Sequence, residues 1–359
     1  MLAIDHMQRR RDLRPFPLLA ALTLSVVAPP AASQERIRVP DRPPRASATL
    51  ELDTLWVIGA ADGPPGTVFG WVASFDVDPD GRILVLDGQY RMLHAFDSAG
   101  RHLASVGREG AGPGEFQLPL LVSAASDGSI YVYDAKLGRV SEFDRELRFK
   151  GIITPSITVH ARSMLVLGDI IFFAGMFPSG VAPRGVIHRF DRRTGEYLGS
   201  FGQLPPVQSE LIRRQIGAGR TFPARDGGIW YTQVAPYHVQ KFSPGGDLLI
   251  DLTRENGFLP SAEPAYTLHV DGPRATVTSR PHPTALALEE MDDGSIRHQV
   301  NLMDGRFVVD FFGPDLVLRA SIVGPVPALH TPVGRERYVV AYLAPESIPS
   351  VALIQIRRW

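Results

Sequence analysis

The chain has 359 residues, 44% of them hydrophobic, and a formal net charge of −1. That is enough apolar material for a large core, and the balanced charge, with no basic domain and no basic stretch interleaved with aromatics, gives no electrostatic case for nucleic acid. The absence of cysteine excludes disulfides, thiolate nucleophiles, cysteine-ligated metals and a lipid anchor on cysteine. With 34 Gly and 31 Pro, the composition favours many turns between short strands over long helices.

The N-terminus has the order of an export signal. Arg9, Arg10, Arg11 and Arg14 form a positive region, Phe16 to Ala28 is a short apolar stretch, and Ala31-Ala32-Ser33 places small residues at a cleavage site before Gln34. The apolar run contains Pro17 and ends at Pro29-Pro30, too short to span a bilayer comfortably. Asp12 after Arg10-Arg11 spoils a twin-arginine motif, so the general secretory route is expected. The reading is a signal peptide over 1–33, a flexible N-terminal segment over 34–48 and a folded domain over 49–359, located in the periplasm or outside the cell.

An internal repeat dominates the rest of the chain. Asp80-Gly81-Arg82-Ile83-Leu84-Val85-Leu86-Asp87 is followed by Phe96-Asp97, and the pattern returns 47 residues later as Asp127-Gly128-Ser129-Ile130-Tyr131-Val132-Tyr133-Asp134 with Phe143-Asp144. Phe190-Asp191 lies another 47 on, and a further copy runs from Asp226-Gly227-Gly228-Ile229-Trp230-Tyr231 to Phe242. The Asp-to-Phe distance is 16 in three copies, and an insertion near Phe177–Gly185 accounts for the other. Asp-Gly marks a hairpin turn, the β-branched and aromatic run after it a strand, and the Phe a buried position on the next strand. Outer strands are expected at His102–Val106, Phe149–Ile153, Tyr197–Phe201 and Leu248–Leu252. Four antiparallel strands per roughly 45 residues is the unit of a propeller blade.

Asp-Gly-x-Ile-x-Val-x-Asp, Arg139-Val140-Ser141-Glu142-Phe143-Asp144 and the Gly-rich run Gly107 to Phe116 resemble NHL-repeat propellers, in particular the bacterial six-bladed group of unknown function. The clear match covers about residues 70–253, and blade one departs from it in having Met92 where the repeat has Arg, with Arg91 one position early. The resemblance implies an all-β, six-bladed β-propeller of four-stranded antiparallel blades. Residues 283–323 supply a fifth blade, and Arg337–Leu343 with Ser350–Arg358 only two strands of a sixth. The orphan strand Thr49–Ile58 carries Leu50, Leu52, Trp56 and Ile58 on one face and is expected to close the ring against Ser350–Arg358, removing two exposed edges. Leu204–Gly219, with a short helix over Ser209–Ile216, and Asn256–Ser279 read as insertions.

The sharpest chemical motif is Asp76-x-Asp78-x-Asp80-Gly81, whose alternating carboxylates could supply calcium oxygens. Strands rather than helices flank it, Leu84 stands where a calcium hairpin would want an acid, and the second copy keeps the turn without the acids. An ordinary Asp-Gly hairpin is the expectation, with no cofactor. His94 and His188 share a repeat position with Ser141 and Gln240, read as a variable polar slot on a strand surface. No zinc-spaced histidines and no Gly-x-Ser-x-Gly are present. Enzymes are known among six-bladed propellers. A gluconolactonase-like site would need Asn and carboxylates on a metal, and the only two Asn, Asn256 and Asn301, lie outside the clear repeats; an amidating-lyase-like chain would carry cysteine. Arg213-Arg214 is read as a solvated helix face, with anion binding the other possibility. The expectation is a monomeric binding or scaffold module for a protein, peptide or glycan. The alternative is a metal-assisted hydrolase or lyase at the channel mouth, to be distinguished by three or more His, Asp or Glu converging there. The mature protein should begin at Gln34, read out by intact mass; exported protein that still begins at Met1 would refute this.

Overall fold

A computed structural model describes residues 35–39, 51–64, 66–176, 185–203, 219–233, 237–254, 266–271, 274–279, 284–302, 306–324, 331–333, 336–344 and 348–358. The signal region, Thr49, Leu50, most of the insertion near Phe177, and the helix expected at Ser209–Ile216 with Arg213-Arg214 lie outside the described residues.

Two strands precede the repeats, β1 (Glu35–Val39) and β2 (Glu51–Ile58). Blade one is β3 (Val72–Val77), β4 (Ile83–Asp87), β5 (Met92–Phe96) and β6 (His102–Val106), and blade two β7 (Pro119–Ala124), β8 (Ile130–Asp134), β9 (Arg139–Phe143) and β10 (Phe149–Ile153). Blade three is β11 (His160–Leu167), β12 (Ile170–Met176), β13 (Ile187–Asp191) and β14 (Tyr197–Phe201). Blade four is β15 (Arg220–Pro223), β16 (Ile229–Gln233), β17 (His238–Phe242) and β18 (Leu248–Arg254). The hairpin β19 (Tyr266–Asp271) and β20 (Arg274–Ser279) comes next as a separate two-stranded sheet inside the second insertion. Blade five is β21 (Thr284–Glu290), β22 (Ile296–Asn301), β23 (Phe307–Phe312) and β24 (Leu318–Gly324). Blade six is β25 (Thr331–Pro332), β26 (Arg337–Ala344), β27 (Ile348–Arg358) and β2. Each of the six blades is built on four antiparallel strands, and the inner strands β3, β7, β11, β15, β21 and β25 neighbour one another in a closed circle.

The Asp-Gly turns put Gly81, Gly128 and Gly227 at φ of 78–84°, where a side chain would be strained. Gly294, at φ 83°, reveals a fourth Asp-Gly turn, Asp293-Gly294-Ser295-Ile296, in blade five. The next strand of each blade is buried on both faces. In β4, Ile83 and Val85 pack towards blade six while Leu84 and Leu86 pack towards blade two. In β8, Ile130 and Val132 face blade one, and Tyr131 and Tyr133 face blade three. That explains the continuous apolar runs, which an alternating strand with one wet face would not show. The core is accordingly six clusters, one at each junction between adjacent blades.

Phe96, Phe143, Phe190 and Phe242 are buried at equivalent positions, each opposite a buried isoleucine on the neighbouring strand: Ile83, Ile130, Ile171 and Ile229. Ile296 and Phe312 repeat the pair in blade five. Blade six inverts it, with Tyr338 opposite Ile354, so that junction keeps a large and a small partner although the sequence motif is lost.

Ring closure occurs as expected: β2 pairs antiparallel with β27 from Glu51↔Arg358 to Ile58↔Val351. The shared face does not hold. A bulge between Thr54 and Trp56 reverses the side-chain parity, so Leu52 packs with the cluster between blades five and six and Trp56 with that between six and one. Trp56 Nε1 donates to Ser98 O at 3.1 Å, fastening the closing strand to blade one. The segment read as flexible also departs from expectation. β1 adds in parallel to β18, giving blade four a fifth strand, with Ile37 and Val39 packed into the core beside it. Their alternation with Arg36 and Arg38 is a short strand signal.

Deleting 49–58 should lower the melting temperature by about 10 °C. Leu52, Trp56 and Ile58 each lose burial worth roughly 1.5–3 kcal/mol, and a chain of this size shifts by about 1.5 °C per kcal/mol. The exposed β27 edge should also promote aggregation. A soluble deletion variant with unchanged melting would show that the ring holds without this ladder.

Candidate functional site

The inner strands surround a central channel of about 1370 Å³. Because every blade repeats the same order of strands, all inner strands run the same way and the channel has two unlike mouths. One is the crossing mouth, where inner strands begin and blade-to-blade connections arrive. The other is the hairpin mouth, where the Asp-Gly turns lie.

Side chains stitch the wall from blade to blade. Ser74 Oγ accepts from Val122 N at 3.3 Å, Ser123 Oγ from Val166 N at 3.3 Å, and Ser163 Oγ from Thr221 N at 3.0 Å. At the hairpin mouth Glu290 Oε2 accepts from Trp230 Nε1 at 2.8 Å and Arg225 N at 3.1 Å, and Lys241 lies 3.6 Å from its carboxylate, joining blades four and five.

The three acids of the candidate calcium motif point to different partners. Asp76 accepts from Ala124 N of blade two at 2.8 Å and from Val77 N. Burial, with the nearby Asp78 charge adding to it, pushes the Asp76 carboxyl up to about 6 against the lowering effect of those N–H groups. Asp78 is spent on its own turn, accepting from Asp80 N, Arg82 N and Arg82 Nε at 2.6–3.0 Å. Asp80 reaches Arg145 of blade two at 3.6 Å. Asp97 with Arg101 and Asp144 with Arg148 repeat the Asp-x-x-x-Arg clasp at other hairpins. Asp87, the motif's twelfth position, is fully buried and collects Gly70 N at 2.7 Å, Gln89 N at 2.8 Å and Tyr90 N at 2.8 Å. Asp134 does the same in blade two with Gln117, Lys136 and Leu137 N. These carboxylates tie the turn after the second strand to the chain entering the first. Arg91, at φ 58°, holds the left-handed position that Gly138 takes in blade two, and its Nε donates to Gln117 O at 3.2 Å.

The slot containing His94 and His188 is not a strand surface. His94, Ser141, His188 and Gln240 are all buried, because both faces of a blade are covered. The outer strand supplies partners for three of them: His94 Nδ1 meets Ser105 Oγ at 2.7 Å, His188 Nδ1 meets Ser200 Oγ at 2.9 Å, and Gln240 Nε2 donates to Asp251 at 3.1 Å. Blade five places Asp310 there, in a buried ion pair with Arg254 of blade four. Burial pushes His94 and His188 down to about 4, and His298, beside Asp310 in the sheet, down to about 3, where Arg297 and Arg254 add to it.

Arginines at the crossing mouth escaped the sequence reading. Arg162 and Arg220 stand near the start of β11 and β15 and line the channel. Each precedes a hydroxyl residue, and Ser163 and Thr221 touch at 2.8 Å, which sets the two strands side by side. The shared Arg-Ser/Thr step was the available signal, hidden by the insertions that blur blades three and four. Among the described residues no group of three His, Asp or Glu could hold a metal ion.

A family model described as 6-bladed beta-propeller matches residues 77–166. No curated protein matches the sequence. Among solved structures, a protein from Bacteroides fragilis named as exported aligns with a TM-score of 0.62 at 10% identity, over 90% of this chain and 99% of its own. A member of the DUF4221 family from Bacteroides vulgatus aligns with a TM-score of 0.60 at 8% identity, over 86% and 99%. The WD40 repeats of RRP9 align with a TM-score of 0.52 at 11% identity, over 86% and 100%. The chain is a six-bladed β-propeller.

The buried histidines set a pH dependence. Their folded pKa values lie below 6.5, so on acidification the unfolded chain takes up protons first and stability falls from pH 6.5 towards 4. Each contributes a slope of about 1.4 kcal/mol per pH unit. Asp76 opposes them below about pH 6, since its raised carboxyl is protonated first in the folded state. Denaturant unfolding should show net loss between pH 6.5 and 4.5, and His188→Gln, which copies Gln240 of blade four, should remove about one proton from the slope. An unchanged slope in that variant would sink the assignment.

Proposed function

We propose that the chain acts, after export to the periplasm or beyond, as a binding or scaffold module that takes a protein, peptide or glycan on the crossing face of the propeller. The observation that carries this reading is a closed ring around a channel of about 1370 Å³, its wall groups stitched from blade to blade, together with the length of the chain that joins blade three to four and blade four to five. The connection between β14 and β15 spans 18 residues and that between β18 and β21 spans 29, against 6 to 13 at the other junctions. Long connections on a rigid scaffold commonly carry recognition. Export is supported by the order of basic, apolar and small residues over 1–33. No helix among the described residues is long and apolar enough to cross a membrane.

The test screens the mature protein against a glycan array and a displayed peptide library, alongside a variant with 204–218 replaced by a short Gly-Ser link and another lacking 262–281. A ligand lost in either variant, with melting unchanged, supports the reading. A ligand indifferent to both replacements, or one converted to product by the protein as seen by mass spectrometry, overturns it, and the second outcome restores the metal-assisted hydrolase or lyase.

A further inference from the structure

The acids of the channel wall are largely engaged. Asp76, Asp78, Asp80, Glu289, Glu290 and Asp292 each hold a backbone N–H or a cation. All lie towards the hairpin mouth or halfway along. At the crossing mouth the wall carries the opposite sign. Arg162 and Arg220 have no hydrogen bond or ion pair among the described residues, although both belong to strands whose neighbouring hydroxyls are fully used. Arg162 is exposed towards the lumen, and Arg220 is half-buried, enclosed by protein except towards the channel. Burial and the Arg162 charge both lower the affinity of Arg220 for its proton, so the two guanidiniums repel each other. A third lining cation with no ion pair among the described residues, Arg337, sits at the far mouth next to Glu336.

Two like charges held together with no counter-charge cost stability. Such a cost is kept where a ligand removes it. Guanidinium forks on neighbouring strands present paired N–H donors to one acceptor, which suits the planar or tetrahedral oxygens of a carboxylate or phosphate. Farther in, the wall carries carboxylates with their partners already engaged, so the neighbouring guanidiniums at the crossing mouth are the paired donors that an incoming anion meets.

We propose that Arg162 and Arg220 form an oxyanion site at the crossing mouth, which holds a carboxylate or phosphate group borne by the ligand. The inference rests on the binding reading above, and names the chemistry that the crossing face selects.

The test measures the melting temperature of the mature protein at constant ionic strength in chloride, inorganic phosphate and succinate, with wild type, Arg162→Gln, Arg220→Gln, the double variant and Arg225→Gln. In wild type, phosphate or succinate should raise the melting temperature over chloride, and the stronger of the two identifies the preferred oxyanion. Ligand at 100 times its Kd gives about 2.7 kcal/mol. Arg162→Gln and Arg220→Gln should melt at or above wild type in chloride, because the repulsion is relieved, and should lose the anion response. Arg225→Gln, whose partner is Asp292 at the other mouth, should keep it. If Arg220→Gln does not fold, the exposed Arg162 carries the comparison. The inference is overturned if wild type responds to neither anion, or if the response survives in the double variant. A wild type that ignores both anions yet still captures a loop-dependent ligand overturns this site alone and leaves the binding reading standing. Loss of loop-dependent capture with an intact anion response does the reverse.

Discussion

A blade buried on both faces cannot end a stack. Residues of β4 and β8 alternate between two different clusters, so each of these sheets needs an apolar neighbour on either side. Adding blades in a row only moves the bare faces outwards, and curving the row until its ends meet removes both at once. That demand accounts for the recurrence of an Ile–Phe pair in five blades, the six separate clusters in place of one core, and the borrowing of β2 to complete the last sheet.

Covering both faces also buries whatever polar residues fall on the middle strands. Along the row His94, Ser141, His188, Gln240 and Asp310 the partners differ from blade to blade: serine hydroxyls in the first and third, a carboxylate in the fourth and a cross-blade arginine in the fifth, while Ser141 Oγ in the second has no hydrogen-bond partner among the described residues. An unpaired polar group at such a depth costs about 1–3 kcal/mol. The row therefore discriminates between blades that the apolar positions make nearly interchangeable. A blade slipped by one repeat would set His94 or Gln240 against the wrong outer-strand partner.

The architecture was legible because its signals are short-range. Asp-Gly turns, β-branched runs and a fixed distance to Phe all lie within one blade, and the outer strands fell on the expected residues. Ring closure was legible for a different reason, since an orphan strand and a blade short of strands imply each other. Parity within β2 was not, because a bulge depends on how the partner β27 runs and leaves no mark in the sequence of β2 itself. The polar slot was misjudged because polarity normally reports exposure, and that rule fails for a sheet covered on both sides. The channel arginines lay beyond reach because Arg162 and Arg220 are 58 residues apart, in the two blades where the repeat length varies, and only the three-dimensional contact of Ser163 with Thr221 brings them together. The carboxylates of Asp76, Asp78 and Asp80, alternating in the sequence like the acids of a metal loop, serve two inter-blade contacts and one turn clasp.

The pairing of β2 with β27 also orders events in time. The two strands stand at opposite ends of the described sequence, so the ladder has almost the largest loop to close that the chain permits. During synthesis or threading from the N-terminus, β2 emerges early and stays without its partner until nearly all of the chain has emerged behind it. Five blades can assemble in that interval, but as an open arc with a bare face at each end. The arc is the state most open to capture by chaperones and to mispairing with a second chain. Formation of one antiparallel ladder ends that exposure, so the step that completes the molecule is also the one that makes it safe to release.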